Sequence, residues 1–209
     1  MPPFFGKCLS NRSGIGAAHC VFLPLGPLHR PSVSCFLQEQ ETIVSAPHIA
    51  DVFFKPLSQH ADSRGWLVEI YREDELADSL HPVMAYVSQT LPGVARGPHE
   101  HVDQTDLFAF MGPGDFELVL WDARPKSPTY TVQTRTICGQ SNPCAVSIPP
   151  GVVHAYRNVS DVPGWVFNAP NRLYAGKGKQ EPVDEIRHEQ SADSPYQLAQ
   201  LSPNTKGST

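Results

Sequence analysis

From about residue 50 onward the chain alternates short apolar stretches with clusters of turn-forming residues. The stretches that read as strands are Val52–Pro56, Trp66–Tyr71, Val83–Thr90, Val94–His101, Leu107–Met111, Phe116–Trp121, Thr129–Thr136, Ala145–Ile148, Val152–Arg157 and Gly164–Ala169. Between them lie Asp62-Ser63-Arg64-Gly65, Pro92-Gly93, Gly112-Pro113-Gly114, Pro125 to Pro128, Ser141-Asn142-Pro143 and Pro149-Pro150-Gly151. Only Glu73–Ser79 offers a short helical turn. Apolar runs of this length, spaced regularly and punctuated by glycine and proline, predict an all-β sandwich or barrel. The 21 prolines among 209 residues strengthen that reading, because proline removes an amide donor and breaks helices.

Charge divides the chain. Residues 1–38 contain no Asp or Glu, only Lys7, Arg12 and Arg30, and the first acid is Glu39. The predicted organisation is an N-terminal extension over 1–45, disordered or a targeting or non-native segment, then a barrel over 46–190, then a flexible tail over 191–209. The apolar run Gly14 to Leu28 is interrupted by His19, Pro24 and Pro27 and is too short to span a bilayer. With 16 Lys+Arg against 21 Asp+Glu the net charge is −5, which offers no basic stripe for nucleic acid. Five cysteines in no regular spacing, Cys138 and Cys144 among them, make no disulfide framework and point to a reduced, cytoplasmic protein.

The histidines carry the chemistry. In His99-Glu100-His101 the period of a strand puts both rings on one face. Pro149-Pro150-Gly151-Val152-Val153-His154-Ala155-Tyr156-Arg157-Asn158 matches the second cupin motif, P-x-G-x-x-H-x-x-x-N. His154 should face the interior with Val152 and Tyr156. The first cupin motif is matched loosely by His99, His101, Asp106, Gly112 and Gly114. Together these resemble a cupin-type jelly-roll barrel of two antiparallel sheets. Three histidines converging from two strands would be costly as packing alone, since buried polar groups need partners.

Asp62-Ser63-Arg64-Gly65-Trp66-Leu67-Val68-Glu69, Gly93-Val94-Ala95-Arg96-Gly97-Pro98-His99, Asp122-Ala123-Arg124 with Ser127-Pro128-Thr129, and Ile148 to His154 follow one another in order. This series resembles the dTDP-4-dehydrorhamnose 3,5-epimerase family over about residues 50–190. The resemblance implies an isomerase that removes a proton beside a 4-keto group of a nucleotide sugar, with His99 as general base. Histidine suits that task because its pKa lies near neutral working pH. It further implies substrate contacts from Arg64, Arg96, Glu69 and His154, no cofactor, and a homodimer. The guanidinium groups would meet phosphate oxygens.

The chain departs from the family at its reactive centre. Counting back from Gly114, the family's lysine position falls on Leu107, with Asp106 beside it. The strand of the family's proton-donating tyrosine reads Trp165-Val166-Phe167-Asn168, so Phe167 or Asn168 takes its place. The family's base-reading Q-x-N is not recognisable in Tyr86 to Thr90. The acid that orients the base falls near Glu189 or Asp193. Tyr156 is the replacement donor on the His154 face, and Asn168 a further substrate contact. Two other readings compete. One is a metal-dependent cupin, isomerase or dioxygenase, binding Zn, Fe, Mn or Ni through His99, His101 and His154 with Asp106 or Gln104. The other is a non-catalytic carbohydrate-binding cupin. Ala175-Gly176-Lys177-Gly178-Lys179 lacks P-loop spacing and reads as a solvated loop.

Overall fold

A computed structural model describes residues 48–199 of the chain. They form β1 (Phe53–Pro56), β2 (Gln59–Asp62), β3 (Gly65–Val68), β4 (Tyr86–Thr90), β5 (Ala95–Glu100), β6 (Asp106–Phe110), β7 (Asp115–Asp122), β8 (Gln133–Gly139), β9 (Cys144–Ile148), β10 (Val152–Asn158), β11 (Gly164–Asn168) and β12 (Ile186–Arg187). No α-helix occurs among the described residues. The expected helical stretch at Glu73–Ser79 is two 3₁₀ turns, Glu73–Glu75 and Asp78–Leu80. The strands build one sheet in the order β1-β9-β6-β11-β4, a second in the order β12-β5-β10-β7-β8, and a separate β2-β3 ribbon. Every pairing is antiparallel. This is the two-sheet jelly-roll expected from the sequence.

The two sheets bury Phe108, Phe110, Phe116, Leu118, Leu120, Val146, Ile148, Val152, Tyr156 and Val166 between them. Alternation places Val152, His154 and Tyr156 of β10 on this inner side. Val153 and Ala155 fall on the outer side with Val119 and Trp121. Tyr156 meets Phe110 and Phe116 edge to face at 5.7 and 5.6 Å, the arrangement that aromatic quadrupoles favour.

Three departures from the sequence reading have physical causes. The strand expected at Thr129–Thr136 begins only at Gln133, because Asp122 holds the preceding segment in a turn. Its Oδ2 accepts from the Ser127 hydroxyl at 2.5 Å and the Thr129 hydroxyl at 2.6 Å. Strand β2 has no counterpart among the expected strands, since all four of its residues are exposed and none marks a buried face. The outer side of β7 and β10 is covered by chain expected to be a free tail. Tyr196 meets Trp121 with ring centroids 6.0 Å apart, Leu198 packs beside it, and Arg157 donates to the Ala199 carbonyl at 2.8 Å. The tail expectation therefore fails over 194–199. The remainder of that tail, and the N-terminal extension expected over 1–45, lie outside the described residues.

Candidate active site

β5 and β10 lie side by side with His99 directly opposite His154. Their rings are 4.4 Å apart between centroids, and His101, just past the end of β5, stands 5.7 Å from His99 and 5.8 Å from His154. Gly97 makes this approach feasible. Its φ is +78°, and a Cβ there would sit 2.5 Å from the His154 carbonyl oxygen and 3.0 Å from His99 Nδ1. The Gly151 amide donates to the His101 carbonyl at 2.9 Å, tying the Pro149-Pro150-Gly151 turn to the other end of the cluster.

Asp106, the first residue of β6, completes the group. Its Oδ2 lies 3.1 Å from His101 Nε2 and 3.3 Å from His154 Nε2, and its side chain is 1% exposed. Its Oδ1 accepts from Gln104 Nε2 and Asn168 Nδ2, both at 2.9 Å. One ring nitrogen or carboxylate oxygen from each of His99, His101, Asp106 and His154 falls within 4.8 Å of all the others. The position counted from Gly114, Leu107, does not face the cluster. Leu107 points the other way, into an apolar cluster with Leu57, Ala109, Ala145 and Ala169, and Asp106 is the inward side chain.

A segment with little apolar pattern closes over this cluster. Asp184 accepts the backbone N–H groups of Val102, Asp103 and Gln104 at 2.8, 2.9 and 2.9 Å, and its carbonyl accepts a hydrogen bond from His101 Nδ1. Ile186 and Arg187 of β12 pair with Glu100 and His99, and His188 Nε2 bonds to Glu100 at 2.9 Å. The carboxylate facing His99 Nδ1 is Glu185, 3.9 Å away and too far for a direct hydrogen bond. Glu189, expected in that role, lines the cavity at its edge.

Two cavities meet at His99, Tyr86, Glu185 and Arg187. One, of about 580 Å³, extends past His101 toward Tyr174 and Lys177; the other, of about 430 Å³, runs past Arg96 and Tyr156. Both sizes suit a small-molecule ligand. The Gly/Lys loop read as merely solvated thus borders the larger cavity through Lys177. Burial, together with the neighbouring His154 and His101, drives the His99 pKa down to about 2, so the ring is neutral. Burial likewise disfavours charge on His101 and on Asp106. Their mutual contact outweighs it, holding His101 above its ordinary value and Asp106 far below.

The other expected site residues divide into two groups. Arg96 lines the smaller cavity, held by Thr90 Oγ1 at 3.0 Å and the Gln89 carbonyl at 2.8 Å. The Tyr156 hydroxyl is shared with Ser88 Oγ at 3.0 Å at the floor of that cavity. Asn168 is 1% exposed and is spent on Asp106 and on the Tyr86 hydroxyl, to which it donates at 2.8 Å. Expected as a substrate contact, it supports the cluster from behind and lines neither cavity. Arg64 and Glu69 line neither cavity. Arg64 projects from the β2-β3 ribbon with its side chain 87% exposed and paired to Asp62, while Glu69 lies against Arg72. Tyr86 and Glu185 were not singled out from the sequence. Tyr86 stands in a strand whose family motif is absent, and Glu185 belongs to a polar stretch with no period.

Comparison with known proteins agrees with this architecture. The family model of dTDP-4-dehydrorhamnose 3,5-epimerase matches residues 46–181. The chain is 35% identical over 129 residues to a probable low-salt glycan biosynthesis epimerase, Agl13, of Haloferax volcanii, covering 61% of this chain and 82% of the relative. It is 36% identical over 115 residues to the spore coat polysaccharide biosynthesis protein SpsL of Bacillus subtilis, covering 55% and 75%. Among solved structures, a dTDP sugar isomerase from Desulfovibrio desulfuricans superposes with a TM-score of 0.62 at 24% identity, covering 71% of this chain and 91% of that one. NovW, a 4-keto-6-deoxy sugar epimerase of Streptomyces spheroides, does so with a TM-score of 0.58 at 25% identity, covering 76% and 81%. By fold, by ordered motifs and by this match across most of its barrel, the chain belongs to the dTDP-4-dehydrorhamnose 3,5-epimerase family and is a sugar isomerase.

Proposed function

We propose that the protein epimerises a nucleoside-diphosphate 4-keto sugar at a carbon next to the ketone, with His99 as the general base. The observation that carries this reading is the place of His99, an imidazole at the junction of both cavities. Such a base removes the proton from a carbon beside C4, leaving an enolate. A proton delivered to the opposite face inverts the centre, and no electron leaves or enters the substrate.

Tyr86 is the proton donor in this scheme. It lines both cavities, its hydroxyl accepts from Asn168, and its own proton is thereby left to give. Burial and the Asp106 charge push its pKa up to about 12, so the phenol is protonated at neutral pH. Tyr156, the donor expected from sequence, sits deeper and shares its hydroxyl with Ser88. Arg96 and Lys177, at the borders of the two cavities, offer cationic groups for the diphosphate. The same reading includes a homodimer, and supports it with the β2-β3 ribbon, which carries Arg64 into solvent with Trp66 and Leu67 more than half exposed.

The test is deuterium uptake from D₂O into a dTDP-4-keto-6-deoxy sugar. Wild type should exchange and invert. His99→Ala should lose exchange by about 10²-fold or more. Tyr86→Phe should retain exchange while net inversion falls by a comparable factor. Undiminished exchange in His99→Ala would remove the base assignment, and undiminished inversion in Tyr86→Phe would remove the donor.

A further inference from the structure

Two imidazoles and one carboxylate converge on a single place. His154 Nδ1 donates to the Val152 carbonyl at 3.0 Å, and His101 Nδ1 donates to the Asp184 carbonyl, so each ring turns its Nε2 toward Asp106. Gln104 Nε2 lies 3.2 Å from His101 Nε2, which presents that nitrogen as an acceptor. The same amide and Asn168 saturate Asp106 Oδ1 and leave Oδ2 over. Asp106 Oδ2 and His154 Nε2 are buried and have no hydrogen-bond partner, although each lies within 3.3 Å of the other. Polar atoms shut away from water in this manner are rare in folded proteins unless something else binds them.

We infer that His101, His154 and Asp106 form a binding site for a divalent first-row transition-metal ion. Metal bonds of about 2.0–2.1 Å separate adjacent ligand atoms by about 2.9–3.4 Å, whether the geometry is octahedral or tetrahedral. The Asp106 Oδ2 separations of 3.1 and 3.3 Å lie in that window. Two nitrogens and one oxygen select Zn²⁺, Fe²⁺, Co²⁺ or Ni²⁺ over Mg²⁺ and Ca²⁺, which prefer all-oxygen cages. Each ligand is braced as metal ligands are: the imidazoles by backbone carbonyls, the carboxylate by two amides. His99 offers a further ring nitrogen within 4.8 Å of these three and also faces the cavities. The inference does not depend on the epimerase reading, since it concerns binding alone.

The probe is Co²⁺ added to chelator-treated protein, followed by visible absorption and by calorimetric titration, with Zn²⁺ as competitor. One equivalent should bind with the d–d bands of a nitrogen and oxygen site and raise the melting temperature. Asp106→Asn preserves side-chain shape and the Oδ1 hydrogen bonds, so it should fold while losing affinity by at least about tenfold. His101→Ala should do the same. Absence of stoichiometric binding in wild type would overturn the site, as would affinity unchanged in both variants. Binding is read by absorption and calorimetry and the base by isotope uptake, so failure of the one reading is distinguishable from failure of the other.

Discussion

Asp122 shows how a single buried carboxylate can fix a corner of the barrel. It is 1% exposed, and accepts from Arg124 Nε at 2.9 Å as well as from Ser127 and Thr129. Burial alone would raise its pKa; these donors outweigh burial and hold the carboxyl well below the usual range. The folded value therefore lies under the unfolded value of about 3.9, and the stabilisation is complete above about pH 4 and lost as pH falls below it. Asp122→Asn should cost about 3 kcal/mol at pH 7, because it leaves Arg124 with one charged partner fewer. Urea unfolding at pH 7 and pH 3 should show the gap between wild type and variant shrinking on the acid side. A gap independent of pH would mean the loss is one of packing. At this scale the sequence was informative wherever a motif fixed both residue and face. His99, His154 and the Asp122-Ala123-Arg124 corner were placed by pattern alone. Asp106 was named there too, as a possible metal ligand, while the count from a distant glycine fell on its neighbour Leu107, and in a strand one residue reverses the face.

Strands β5, β6 and β10 deliver the histidine cluster, and all three were legible as elements because their apolar positions are bounded by glycine and proline turns. The segment from Asp184 to Gln190 was not. Its two-residue strand has both side chains exposed, and it is held by Asp184, by His188 on Glu100 and by pairing to β5, contacts formed between residues some eighty positions apart. No local pattern announces such a segment, and this is why Glu189 was expected where Glu185 stands. The chain beyond it makes a similar point. Tyr196 touches Trp121 and, at 4.7 Å, the His188 ring, so one aromatic joins the outer side of the barrel to the segment over the site. Tyr196→Ala should lower unfolding free energy by about 1–2 kcal/mol, the loss of a half-buried aromatic and its edge contacts. Trp121 fluorescence during urea titration reads this directly. An unchanged midpoint would show that residues 194–199 lie on the sheet without stabilising it.

The cations expected from the sequence to meet a diphosphate, and Lys177 with them, stand in two separate places. Arg96 and Lys177 border the cavities, whereas Arg64 stands on a ribbon with every residue of β2 exposed and Trp66 and Leu67 beside it. A two-stranded ribbon is marginal by itself in water, and an exposed Trp-Leu pair on it is apolar surface in search of cover. Phe53 and Phe54 on the edge strand β1 and Trp165 on β11 add further exposed aromatics on the same five-stranded sheet. In an isolated chain this arrangement wastes both the apolar area and the guanidinium. A second copy would cover the one and give the other a phosphate to meet. Light scattering should therefore return twice the chain mass, and the melting temperature should rise with protein concentration, as it must when association stabilises the fold. Leu67→Glu places a charge on the ribbon without touching the barrel core, and should yield a folded chain with single-chain mass. A wild type that is monomeric across concentration would assign Arg64 to solvent and leave the diphosphate to the cations that line the cavities, Arg96, Arg172, Lys177 and Arg187.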